Sequence, residues 1–282
     1  MPHPNRIFHY TSVENLALIL NSGKIRFSRL DKVDDASEAP MAQGIAFSKY
    51  FFVSCWTAEP VESIPQWHLY TNGMQGVRID LPAYPFQSKR VTAPKVWQSL
   101  QIDGSIYSPL DLHESFGPTY TVVPTFMSRD QFAGYVEYVP NVQERYDASV
   151  RTQSEDPSKP RFSISKPYEL VRLKTLPWLF QKEYRFALFV LPTGPLPADG
   201  PGNPDYYQNV AGYVADSFGT GRDPGVEYID LHLRQGALSE LVVTTGPLCS
   251  VGAKLCVEAL VQRYAPTGRV QSSELEGCVR KR

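Results

Sequence analysis

Paired cysteines are missing from this chain. The four it has, Cys55, Cys249, Cys256 and Cys278, form no Cys-x-x-Cys cluster, so no zinc site is expected. Free thiols fit a reducing compartment, and a cytoplasmic protein is the expectation. No apolar run reaches the roughly 18 residues that a membrane span needs, and the opening residues MPHPNR carry no apolar signal core. Charge of one sign is also missing: 28 Lys and Arg face 29 Asp and Glu, a formal net charge of −1. No overall basic field therefore draws the chain to nucleic acid, and strong non-specific DNA binding is not expected. There is no internal repeat and no regular βαβ alternation. The glycines of residues 191–225 do not follow a strand and open a helix, which excludes a Rossmann dinucleotide loop.

What remains is an ordinary globular composition, 42% hydrophobic and 20% charged, with enough length for a sizeable core. Short strand patterns outnumber long helical ones. They predict one α+β domain over residues 1–282, built on a mixed, mainly antiparallel sheet with peripheral helices. The 24 prolines and 19 glycines predict many turns. A loop-rich insertion is expected around residues 82–167 and a long loop around residues 191–225.

Residues 7–29, IFHYTSVENLALILNSGKIRFSR, carry the clearest local signals. Residues 7–10 are short, aromatic and branched, as in a strand. Thr11 stands at a helix N-cap position with Glu14 three residues later, the spacing of a capping box. Val13, Leu16, Ala17 and Leu20 repeat on one helix face, and Gly23 is placed to end the helix in a left-handed conformation. Ile25 and Phe27 then alternate with polar residues in a second strand. Alternation places His9 on the face of Ile7, opposite Phe8 and Tyr10. A buried imidazole needs hydrogen-bond partners, so His9 is either a core histidine on a backbone carbonyl or a site residue.

Asp34, Asp35 and Glu38 follow in an acidic loop, read as a solvated turn or a helix cap. It lacks the central glycine of a calcium loop, and no metal is expected. Residues 50–57, YFFVSCWT, predict a strand buried on both faces. Trp67 and Tyr70 share a face of a short helix, and residues 76–80 form another strand. Residues 91–106 and 128–139 could each carry an element. Residues 109–126 read as loops, and 146–166 as an exposed connection. Residues 184–191 form a strand with Tyr184, Phe186, Leu188 and Val190 on one face; Glu183, Arg185, Ala187 and Phe189 lie on the other. An exposed Glu183–Arg185 pair would be worth roughly 0–1 kcal/mol. Strands are expected at 227–233 and 238–244, a helix at 251–264, and a fraying tail.

The strand with His9, then Thr11 and a helix of the form L-x-x-I-L-x-x-G, resembles the opening of ADP-ribosyltransferase-type folds, including the DarT-like toxins and the RNA 2′-phosphotransferases. The wider order of His9-Tyr10-Thr11, Cys55-Trp56, Trp67, Tyr70, Gly76 and the late Trp178–Arg185 segment is similar to a bacterial family known as domain of unknown function 2971. Residues 34–38, DDASE, depart from that family's N-D-P-F-E-like loop, and Gln181 stands where it usually has Glu.

The resemblance implies an NAD-dependent ADP-ribosyltransferase-like enzyme, with NAD as co-substrate and an acceptor that is protein, nucleic acid or small molecule. It would be a bacterial effector, toxin or phage-defence protein, cytoplasmic or injected. His9 would hold a ribose, and Glu183 would stabilise the oxocarbenium-like transition state as nicotinamide leaves. Gln181 would orient the acceptor. Tyr10, Trp56, Trp67 and Tyr70 would stack on the bases, and Arg29 or Arg185 would contact phosphate. His9 and Glu183 are expected to share one cleft. Two rivals stand beside this reading. One is a nucleic-acid-directed phosphotransferase, which would need an arginine cluster drawn from Arg26, Arg29 and Arg78. The other is a non-enzymatic ligand- or protein-binding module.

Overall fold

Alternating apolar residues set the strands, and the structure, a computed structural model, pairs ten of them in one sheet. It describes residues 2–42, 44–91, 106–111, 113–124, 128–152, 162–164 and 166–280. The strands are β1 (Arg6–Thr11), β2 (Lys24–Arg29), β3 (Phe51–Thr57), β4 (Val77–Pro82), β5 (Tyr120–Val123), β6 (Ala133–Tyr135), β7 (Glu183–Pro192), β8 (Tyr228–His232), β9 (Val242–Thr245) and β10 (Arg269–Ser272). The main path runs β6-β7-β3-β1-β4-β9-β10; β5 pairs β7, while β2 joins β3 to β8. Every pairing in this sheet is antiparallel except β9 with β10. The helices include α1 (Val13–Ser22), α2 (Ile64–Tyr70), α3 (Val142–Ser149), α4 (Pro204–Gly219) and α5 (Val251–Tyr264). The chain is thus mixed α+β with a mainly antiparallel sheet. Among the described residues no helix is long and apolar enough to cross a membrane.

β3 is central because its residues are apolar on both faces. Phe52 and Trp56 join a core cluster with Ile7, Phe27, Ile79, Phe186 and Leu188. Phe51 and Val53 join a second cluster with Tyr146, Leu173 and Ala187. β7 alternates as its sequence predicts, sending Tyr184, Phe186 and Leu188 into the first cluster and Ala187 into the second.

Several boundaries differ from the sequence expectation. Ser12, not Thr11, caps α1: its Oγ accepts from the Asn15 backbone N–H, while Thr11 stays in β1. Gly23 does take the left-handed conformation, at φ 63°. The expected loop at 191–225 contains the sixteen-residue helix α4, because Asn203 accepts from the Tyr206 N–H and Pro204 opens the helix without needing a donor. Residues 109–126 include β5. Residues 235–239 are helical, and the strand starts later, at Val242. The described part of the tail, expected to fray, is tied to the body. β10 pairs with β9, and Ser273 and Glu274 donate to the Glu62 carboxylate. Residues 92–105 of the expected element at 91–106 lie outside the described residues, as do 153–161 and 165 of the connection at 146–166. On its described flanks, α3 leads into a short antiparallel pairing of Val150–Thr152 with Phe162–Ile164.

Candidate functional site

β3 changes partner part-way along one edge. It pairs with β1 only through Thr57 and Phe8, and with β2 only through Val53 with Ser28 and Phe52 with Arg29. Between these points, Ser54, Cys55 and Trp56 pair with no strand on that side among the described residues. His9 spans the gap: its Nδ1 lies 2.9 Å from the Cys55 carbonyl oxygen, so Nδ1 carries the proton and donates. The imidazole also packs on Trp56, ring centroids 5.1 Å apart. Burial holds its pKa below the usual value, which keeps the ring neutral near pH 7.

The parted strands open into a cavity of about 630 Å³, within the range of small-molecule sites. Its walls come from β1, α1, β2, β3 and α2, together with Lys174, Gln181 and Glu183. Cross-strand partners share a face. Phe8, Thr57 and Glu183 therefore stand on one face of the sheet and His9 with Ile79 on the other. Both nonetheless reach the cavity, because it fills the wedge where the sheet parts. Cys55 links them: its carbonyl receives His9, and its thiol hydrogen-bonds the Glu183 carboxylate. Burial, with Glu183 beside it, pushes the Cys55 thiol well above its usual pKa, so it is no thiolate.

Glu183 sits in a buried set of two carboxylates and two cations. Arg185 Nε lies 2.5 Å from its Oε1, and Lys174 Nζ 3.3 Å from its Oε2. The same two cations hold Glu38, Lys174 at 2.9 Å and Arg185 through Nη1. All four residues are at most 3% exposed. Burial would raise the Glu183 pKa, but Arg185 and Lys174 prevail and hold it at about 2. Burial would lower the Lys174 pKa, but Glu183 and Glu38 raise it. The Glu183–Arg185 pair is thus enclosed rather than exposed. Glu38 is a core ion, not part of a solvated turn, while Asp35 caps the short turn before it by accepting from Ser37.

The cavity mouth carries a second polar chain. Tyr70 donates its hydroxyl proton to Asp34 Oδ2 and accepts from Gln181 Nε2. Gln66 Nε2 reaches the Gln181 carbonyl at 3.2 Å, tying α2 to the segment before β7. Burial first, and then Asp34, raise the Tyr70 pKa.

Of the residues singled out from sequence, His9, Tyr10, Trp56, Tyr70, Gln181 and Glu183 line the cavity. Three expected there do not. Arg29 is held by Asp31, at 3.0 and 2.7 Å, and by Asp223 at 2.8 Å. Arg185 is fully buried between Glu38 and Glu183. Trp67 is fully buried, edge-on to Tyr10 at 4.9 Å, and donates from Nε1 to Glu62. Neither arginine is therefore free for a phosphate. The trio Arg26, Arg29 and Arg78 also does not converge: only Arg26 lines the cavity, already paired with Asp230, and Arg78 lies over the Phe8 ring.

Sequence reasoning missed Lys24, Lys32 and Lys174, the lysines on the cavity wall. Among the described residues, Lys24 and Lys32 have no carboxylate partner, which suits them to an anionic ligand. Lys174 sits mid-strand in Leu173–Thr175 and is 2% exposed, so its charge needs a buried partner, which the distant Glu38 and Glu183 supply. Among the described residues no group of three or more His, Cys, Asp or Glu side chains is placed to hold a metal ion. No family model, no curated protein and no solved structure matches the chain.

Proposed function

We propose that the wedge-shaped cavity is the NAD site of an ADP-ribosyltransferase-like enzyme with that superfamily's fold, related to the bacterial family of unknown function 2971, whose role is that of an effector, toxin or defence protein. The observation that carries the reading is the meeting of His9, Glu183 and three aromatic side chains, Tyr10, Trp56 and Tyr70, on one cavity of about 630 Å³. Tyr70 offers a ring face for a base, while Trp56, packed against His9, forms the wall behind it. Lys24 and Lys32 take the phosphate role that Arg29 and Arg185 cannot fill. In this reading His9 Nε2, left unprotonated by the Nδ1 bond to Cys55, accepts from a ribose hydroxyl. Glu183, ionised at all ordinary pH, faces the cationic ribose as nicotinamide departs.

One observation favours a second reading, a ligand-binding module without turnover. Both Glu183 oxygens already bind cations, which reduces the negative charge available to an oxocarbenium ion. Incubation of the purified protein with NAD, following nicotinamide release by mass spectrometry and binding by calorimetry, separates the two. The enzyme reading expects nicotinamide release that falls roughly 10²–10³-fold in Glu183→Gln with little change in binding, and weaker binding in His9→Ala. Binding without release supports the module; no binding removes both NAD readings.

A further inference from the structure

Three carboxylates line the cavity: Asp34, Glu183 and Asp230. Two of them are engaged. Glu183 gives one oxygen to Arg185 and the other to Lys174. Asp230 gives both oxygens to Arg26, at 3.0 and 3.3 Å. Asp34 differs. Its Oδ2 accepts the Tyr70 hydroxyl, but among the described residues its Oδ1 has only Lys174 Nζ, 3.6 Å away and beyond hydrogen-bond reach. Its side chain is 39% exposed on the cavity lining, within reach of solvent. The Tyr70 bond orients the carboxylate, and Gln181 in turn orients Tyr70. Gln181 is 6% exposed, and its buried Oε1 has no hydrogen-bond partner among the described residues.

Resting on the NAD-transferase reading above, we propose that Asp34 is the general base that takes the proton of an acceptor hydroxyl, and that the acceptor is therefore an alcohol rather than a carboxylate. In the step, the acceptor O–H bond breaks and its proton passes to Asp34 Oδ1. The oxygen forms a bond to the ribose C1′. The C1′–N bond to nicotinamide breaks, and its electron pair stays on the pyridine nitrogen, cancelling the ring's positive charge. A carboxylate acceptor would need no base and would be repelled by Asp34. The other candidate base, His9 Nε2, is already engaged in the reading above, where it accepts from a ribose hydroxyl.

Methanol is a suitable probe acceptor, because methanolysis of NAD yields O-methyl-ADP-ribose while water yields ADP-ribose. Asp34→Asn retains an oxygen for Tyr70 and should lower both products about 100-fold, the lower end of general-base contributions, with NAD affinity unchanged. Asp34→Ala should show the same loss, and added formate should restore part of it, a rescue that a merely structural role would not give. Wild-type rates in Asp34→Asn, or no formate rescue, would overturn the base assignment while leaving the NAD site standing. Absence of NAD binding by the wild-type protein would overturn the assignment together with the reading beneath it.

Discussion

Glu183 and Glu38 each sit between the same two cations, and no member of the set can leave without stranding a buried charge. Glu38→Ala should therefore destabilise the fold by about 3–5 kcal/mol, the usual scale for breaking a buried pair, measured by urea denaturation. The acid sensitivity has a definite sign. Glu183 titrates at about 2 in the folded chain against an ordinary 4.5, so its contribution is fully present above 4.5 and is lost as pH falls through about 2. Urea midpoints taken between pH 5 and 2 should show this slope in the wild type and a shallower one in Glu183→Gln. Because that variant loses stability, a melting curve must accompany any turnover comparison. At the start of α1, Ser12→Ala should cost about 1 kcal/mol by removing the cap, as read from the same denaturation curves. Thr11→Ala removes no cap. Thr and Ser stand side by side in the sequence, and only the path of β1 decides which of them ends it.

At the scale of elements, the end of α2, the start of β4 and the end of β9 pack too closely for side chains between them. A Cβ on Gly76 would lie 2.2 Å from the Thr11 carbonyl oxygen and 2.8 Å from Thr71 Cβ. Gly76→Ala should then force the α2–β4 turn away from β1, with a loss of roughly 1–3 kcal/mol. Because α2 carries Gln66 and Tyr70, the same change should also disturb the cavity wall; a lowered melting temperature checks the first effect. The strand–helix–strand opening and the alternation of β7 were legible from period alone, since one face of each is apolar throughout. α4 was not, because prolines and glycines on both sides mask a helix whose start depends on Asn203. Glu38 was not legible either: a carboxylate in a polar loop gives no local sign that Arg185, 147 residues away, will enclose it.

Taken whole, the molecule has balanced charge, and several of its arginines are paired with carboxylates, among them Asp31, Asp80, Asp223 and Asp230. Binding to random duplex DNA at physiological salt should be weak. A titration by fluorescence anisotropy at two salt concentrations checks this, because a basic groove would show tight binding with a steep salt slope.

The amino-acid sequence by itself determined the strand–helix–strand opening, the strand β3 and the alternation of β7 with Glu183 at its start, because these follow from local period and capping chemistry; it left β5, α4 and β10 unread. Tertiary structure decided which side chains stay free. Whether a charged residue lines a cavity or fills the core depends on the partners that distant segments deliver. Arg29 and Arg185 were removed from the site in this way by Asp31, Asp223 and Glu38, while Lys174 and Asp34 were added to it. The cavity itself exists because β3 exchanges β1 for β2 part-way along one edge, a property of sheet topology that no single segment encodes.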